Sequence, residues 1–437
     1  MSGSKSAQNM RIIYLYADSQ HEWNCSEWRC HKLANAINWN NEQRPKEFPH
    51  TAKMLLLPSA LDIHHPKVQD MVGAGDVIVF QRNVLSEAIW RAMDYWRALN
   101  RVVLVDLDDH YPNIPASNPA FAHWHLNGLN LDPPAIERLR IGLRDHADAL
   151  ISPSKVILED WDETVPGYYW PNYPSLLEYG DLKQKVTGGP DPIFVPEKDN
   201  LKVGLREGED GALIEGDIII GWGGSLSHVD SFKYSGVIEG MRRLMLENPK
   251  VKFKFCGHET RLDFLMSELP EGAVIRQPGV APTQWPMVLQ GFDIGIAPMD
   301  MRLVDSVVKE EPGGPKYSYD ERRSWLKLVE YLCAGVPFVA TRCASYAELG
   351  RHGKLVDNMP DDWYAGLKSR VDSIALFKEE AWKARRWALK RLTIENNADR
   401  LIALYDRIGK DTQVRKGAAR LPDVLYVTGG HQNGSAQ

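Results

Sequence analysis

RSWLKLVEYLCAGVPFVAT, residues 323–341, places Arg323, Lys327 and Glu330 at spacings of four and three. Such spacings stack side chains on one helical face, so the stretch predicts a helix over 323–334 that turns two cations and a carboxylate the same way. Gly335 ends it, since a residue without a Cβ takes the left-handed conformation that closes helices. Behind Val336 and Pro337, the apolar run Phe338, Val339, Ala340 reads as a buried parallel strand. Polar groups therefore converge at an αβ junction.

That chemistry suits a nucleoside diphosphate sugar. A pyrophosphate is held by Arg or Lys together with free backbone N–H groups at a helix start. A ribose diol calls for a carboxylate that accepts two hydroxyl hydrogen bonds, as an acidic residue does in dinucleotide folds. A solvated Arg/Lys/Glu ladder is the lesser reading of the stretch alone, and the rest of the chain weakens it further.

Outward from this stretch the second half repeats one pattern. DIIIGWGG (217–224), VKFKFCG (251–257), AVIRQPG (273–279), DIGIAPM (293–299) and PFVAT (337–341) read as strands. FKYSGVIEGMRRLMLEN (232–248) and TQWPMVLQGF (283–292) read as helices between them. The first half does the same, with strands at RIIYLYAD (11–18), DVIVFQR (76–82), RVVLVDLDD (101–109) and ADALISPS (147–154), and helices at 26–38 and 85–100. YYWPNYP (168–174) leads to a boundary, and the interval 175–212 has no sustained period and reads as an interdomain connection plus a loop. Strands apolar throughout, separated by helix-length segments, imply parallel sheets covered on both faces. The expected fold is α/β, with two Rossmann-like doubly wound sheets facing a cleft. The expected domains are an acceptor domain over 1–195, a nucleotide-sugar domain over 196–395, and a closing helix with a frayed tail over 396–437 that returns to the first domain.

A chain of 437 residues exceeds what one hydrophobic core usually organises, and 43% hydrophobic with 25% charged residues is ordinary globular composition. The polar opening MSGSKSAQNM is no signal peptide and no apolar run spans a bilayer, so a cytoplasmic location without membrane insertion is expected. Five cysteines without CxxC spacing read as reduced packing thiols. A net charge of −6 offers duplex nucleic acid no long-range attraction. The basic run KARRWALKR, 383–391, alternates with Trp387 and Leu389 and reads as the solvated face of an amphipathic helix. Among the 14 tryptophans, Trp23, Trp28, Trp124 and Trp170 lie in the first half, where an aromatic platform would suit a carbohydrate, although burial accounts for most such residues.

Gly221, Gly223 and Gly224 follow a buried strand, where the lack of a Cβ lets backbone amides approach a phosphate. Ser225, His228 and Asp230 add hydrogen-bonding groups beside it. IIIGWGGSLSHVDSF, FDIGIAPMD and KLVEYLCAGVPFVAT together resemble the nucleotide-sugar domain of GT-B glycosyltransferases, in particular the retaining family-4-like group. The first half, with QR after a strand and the DLDD segment, is similar to the N-terminal domains of that group. The resemblance implies transfer of a sugar from a nucleoside diphosphate sugar to an acceptor hydroxyl, with retention and without metal or cofactor. It implies donor binding by Gly223, Gly224, Ser225, His228, Glu330, Ser324 and Pro298. Lys327 and Arg323 would meet charge growing on the departing diphosphate, and His110 joins them as a catalytic candidate. His21, Arg82, Asp108 and Asp109 would line the acceptor side.

Two departures qualify the resemblance. The retaining pattern has a Glu eight positions before Glu330, on the donor sugar; here that position is Arg322. Glu321 lies one place off, and one residue on a helix turns a side chain by about 100°. The usual Arg near the glycine loop is replaced at about Ser225. The cluster VDLDDH, 105–110, also fits the Asp ligands of a metal-dependent glycosyltransferase, a structural cap, or an acceptor-cleft wall. A binding protein without turnover, a sugar-phosphate epimerase or phosphorylase, and a transferase acting on a modified DNA base remain alternative functions. In the last, nucleic acid enters only as acceptor.

Overall fold

Residues 9–18, 24–126, 130–183, 192–197, 200–205, 216–224, 226–257, 262–303 and 316–420 are described by the computed structural model. β1 (Arg11–Tyr16), β2 (Thr51–Leu56), β3 (Val77–Gln81), β4 (Val102–Asp106), β5 (Ala149–Ser152) and β6 (Gly167–Tyr169) form one sheet. Its order is β2-β1-β3-β4-β5-β6, with every pair parallel. Successive residues of a strand point to opposite faces. Ile13, Leu15, Ile78 and Phe80 accordingly enter one core and Ile12, Tyr14, Val77 and Val79 another. Covering both faces is what makes these strands apolar throughout.

β7 (Pro192–Glu197) and β8 (Asn200–Leu205) pair antiparallel as a separate hairpin, inside the interval read from sequence as a connection and loop. β9 (Ile218–Gly223), β10 (Val251–Cys256), β11 (Val274–Gln277), β12 (Ile294–Ala297), β13 (Phe338–Thr341) and β14 (Lys354–Val356) form the second sheet. Its order is β11-β10-β9-β12-β13-β14, again parallel throughout. The two sheets are thus alike in size and direction and differ in order at one side, where β1 lies second from the edge of its sheet and β9 third from the edge of its own.

Two helices differ from expectation. The helix read over 232–248 is two, Val229–Tyr234 and Val237–Glu247, broken at Gly236 with φ +83°. A Cβ there would sit 2.8 Å from the Pro360 nitrogen, so both the backbone angle and the close approach require glycine. The helix read over 323–334 begins at Leu326 and runs to Ala334, closed by Gly335 at φ +71°. Arg323 precedes it in extended backbone, φ −75° and ψ 160°, capping a short 3₁₀ turn over Asp320–Arg322. Arg323 therefore shares no helical face with Lys327 and Glu330; it reaches the same region from the segment ahead of the helix.

The final helix, Ala398–Arg420, returns to the first sheet. Tyr405 Oη lies 2.9 Å from Tyr14 Oη, Tyr168 donates to Asp411 at 2.7 Å, and Arg415 donates to the Asp148 carbonyl at 3.0 Å. One buried cluster joins Ile12 and Tyr14 of β1 with Leu328, Tyr331, Ala388 and Tyr405. Among the described residues no helix is long and apolar enough to cross a membrane.

Candidate functional site

In parallel α/β sheets, ligands bind beyond the carboxyl ends of the strands. Asp18, Arg82, Asp108 and Asp109 follow β1, β3 and β4, while Gly223 ends β9 and Gly224 and Pro298 follow β9 and β12. Segments of the two domains meet beside these strand ends. Ser117 donates to Asp230 at 2.5 Å, Asn118 to Tyr319 Oη at 3.3 Å, and Asn172 to Ser324 Oγ at 3.1 Å.

Arg323 is the hub on the second-domain side. Its guanidinium lies 3.0 Å from Asp320, donates to the Ser227 carbonyl at 3.0 Å, and reaches His228 Nε2 at 2.6 Å. Burial works against its charge, but Asp320, Tyr319 and Asp109 outweigh this and raise its pKa above the usual arginine value. His228 is held far below the ordinary imidazole value, first by burial and then by Arg323 and Lys327. The ring is therefore neutral and accepts from arginine instead of repelling it. Asp320, buried at 3% exposure, accepts from Ser231 Oγ and the Asp300 N–H, both at 2.6 Å. A carboxylate satisfied in this way fixes Arg323 in place.

Lys327 Nζ lies between two indoles, 5.6 Å from the Trp222 ring centre and 5.5 Å from that of Trp285, with Glu330 at 4.0 Å. Burial lowers its pKa, and Glu330 only partly opposes this. Glu330 is itself buried, and burial raises its pKa against Lys327 and the Trp285 hydrogen bond. Its Oε1 accepts from Trp285 Nε1 at 2.7 Å and from Tyr179 Oη at 3.4 Å. Trp285 also packs on the glycine loop, where a Cβ on Gly223 would come within 2.2 Å of the indole. One side chain thus covers both elements assigned from sequence to the donor.

The loop amides differ from expectation in one respect. Gly224 N–H donates to the Cys256 carbonyl at 3.1 Å, because β9 continues its pairing past Gly223, so this amide is already used. Pro298 is buried between Ala297 and Met299, whose N–H donates to Thr341 Oγ1 at 3.0 Å. Ser225 and His21 lie outside the described residues.

On the first-domain side, Asp109 faces Arg323 and hydrogen-bonds Tyr319. Burial pushes its pKa up to about 6, Arg323 opposes the rise and Asp108 adds to it. Asp108 accepts from Tyr111 Oη at 3.2 Å. Arg82, in left-handed backbone at φ +45°, pairs with Asp18, whose other oxygen takes the Ser26 N–H and hydroxyl, each at 2.8 Å. Asp106 is buried and held by Arg29 through two contacts of 2.8 Å. Among the described residues no group of three or more His, Cys, Asp or Glu is placed to hold a metal ion.

His110 is not in the Arg323–Lys327 cluster. It is buried 3.5 Å from Asp160, and burial followed by Arg322 holds its pKa far below the ordinary value. Asp160 pairs with Arg322 across the domains at 2.7 and 3.1 Å. The residue standing where the retaining pattern has a sugar-binding Glu is thus committed to the domain interface, and Glu321 accepts the Ser318 N–H at 2.9 Å. Sequence reading missed Asp320, Trp285, Tyr319 and Asp160. Only Asp320, three positions before Arg323, offered a local signal.

Two parallel six-stranded sheets, facing each other across a cleft and tied by a returning C-terminal helix, define the GT-B fold. No family model and no curated protein sequence matches the chain. Its structure is similar to sucrose-phosphate synthase from Thermosynechococcus elongatus, at 11% identity and a TM-score of 0.52, over 93% of this chain and 100% of that one. It is also similar to the N-terminal domain of trehalose-6-phosphate phosphatase from Candida albicans, at 10% identity and a TM-score of 0.50, over 92% and 97%. At such identities the likeness is one of fold.

Proposed function

We propose that the protein is a glycosyltransferase that moves a sugar from a nucleoside diphosphate sugar to an acceptor hydroxyl, with retention and without a metal. The observation that carries this reading is the convergence of Arg323 and Lys327 in the cleft opposite Asp109 of the other domain. Departure of the diphosphate concentrates negative charge on its β-phosphate, and fixed cations there stabilise the transition state more than the ground state. Arg323 is held by Asp320 and neutral His228, so little reorganisation accompanies the reaction. Lys327, partly buried beside two indoles, presents a strong field to an anion. Glu330 accepts a ribose hydroxyl once Trp285 turns aside, and Asp109 accepts a hydrogen bond from the acceptor hydroxyl. A carbohydrate is the acceptor class the resemblance supports.

A second reading, donor binding without turnover, is favoured by one observation. Arg322 occupies the sugar-carboxylate position and is spent on Asp160.

The rate measured against pH with EDTA present separates these readings. Sugar transfer should persist without metal, and kcat/KM should fall below about pH 6, where Asp109 takes up a proton. The sign follows from the raised pKa: Asp109 is charged above about 6 and neutral below it. Asp109→Asn should be slower and lose this limb. Rates restored only by Mn²⁺ would contradict the metal-free site, and absent transfer with intact donor binding would establish the second reading.

A further inference from the structure

A cavity of about 520 Å³ lies behind the cleft, where the end of the first sheet, the segments flanking Trp325 and Leu349, and the last two helices meet. None of Arg323, Lys327, Glu330 or Gly223 lines it, so it is distinct from the donor site. A volume of this size is ordinary for a small-molecule site.

Its lining carries four cations, Lys155, Arg351, Arg391 and Arg400, against one carboxylate, Glu348. Among the described residues no ion pair satisfies any of the four cations. Lys155 lies 5.0 Å over the Tyr169 ring and Arg351 5.7 Å from the Trp387 ring centre, so aromatic faces stand beside the charges. Arg400 donates to Asn397 at 2.7 Å and hydrogen-bonds Tyr173.

Two further lining residues, Trp170 and Trp325, are 3% and 5% exposed, and their indole N–H groups have no hydrogen-bond partner. Buried donors are nearly always paired, and an orphaned one carries a desolvation cost that a ligand oxygen removes. Arg351 donates to His352 at 3.2 Å, and His352 lies 4.4 Å from the half-buried Trp387 ring. Arginines without a carboxylate partner are the usual partners of phosphate, and an aromatic face stacks on a ring.

We propose that this cavity binds a small phosphomonoester carrying a hydroxylated ring, the chemistry shared by sugar phosphates and nucleoside monophosphates. The arginines take the phosphate, the two indole N–H groups and Glu348 take ring hydroxyls, and Trp387 covers the ring. Because the lining comes from both domains and the closing helices, occupancy ties the domains together.

Calorimetric titration of the full chain with glucose 6-phosphate, uridine monophosphate, inorganic phosphate and glucose tests the site. One of the two phosphomonoesters should bind at least tenfold more tightly than inorganic phosphate, and glucose should not bind measurably. Arg391→Gln with Arg400→Gln should weaken that binding at least tenfold, whereas Lys327→Ala should leave it unchanged. The three arginines are exposed, so these variants and the single Arg351→Gln should keep the wild-type melting temperature. Failure of both phosphomonoesters to bind, equal binding of inorganic phosphate, or an affinity lost with Lys327→Ala and kept in the arginine variants would overturn the proposal. The last outcome would place the ligand in the donor site, and none of the three bears on sugar transfer itself.

Discussion

Lys327→Ala is expected to lower kcat by a factor of about a hundred to a thousand while changing the donor KM far less. An electrostatic partner that acts mainly on charge developed in the transition state is worth about 2.7 to 4 kcal/mol. Its loss falls on turnover and spares ground-state binding. Lys327 meets the condition because partial burial beside Trp222 and Trp285 lowers its pKa, leaving Glu330 at 4.0 Å as its nearest counter-charge. A rearranged core would also slow the enzyme, so the melting temperature belongs beside the rate. Normal folding with near-native turnover would return Lys327 to the solvated-ladder reading.

Arg322→Ala is expected to destabilise the chain by about 1 to 3 kcal/mol, the cost of leaving hydrogen-bonding groups without their partner where Asp160 keeps some contact with water. Arg322 is 3% exposed, pairs with Asp160 at 2.7 and 3.1 Å, and donates to the Tyr317 and Ser318 carbonyls. Its loss leaves Asp160 and neutral His110 facing a void at the domain interface. Denaturant unfolding measures the effect, with Asp160→Asn expected to follow the same direction. Restoring the retaining pattern with Arg322→Glu should destabilise at least as much, because the new carboxylate would face Asp160 and not a sugar. A stable Arg322→Glu protein with raised activity would refute the interface role.

The strands were legible because coverage on both faces made them apolar without interruption, as in Val77–Gln81, where every residue is buried. β2 escaped notice because it is an edge strand in which only Ala52 is fully buried, with Lys53 and Leu56 exposed. The Gly335 cap and β13 follow from local chemistry, and the structure has both. The start of the preceding helix does not, since the extended backbone at Arg323 is set by Asp320, Ser231 and Asp300 together. The partner of Arg322 lies 162 positions away in sequence. No periodicity encodes such a distance, and for the same reason Trp285 was read only as part of a helix.

The most direct test of donor binding is calorimetric titration of the wild-type chain with UDP-, GDP-, dTDP- and ADP-sugars in EDTA, repeated on Arg323→Ala. One donor should bind without metal, add about 2.7 kcal/mol of stability at a hundred times its dissociation constant, and lose at least tenfold in affinity in the variant. If no nucleoside diphosphate sugar binds, or if one binds equally well to Arg323→Ala, the cleft between Arg323, Lys327 and Asp109 is not a donor site.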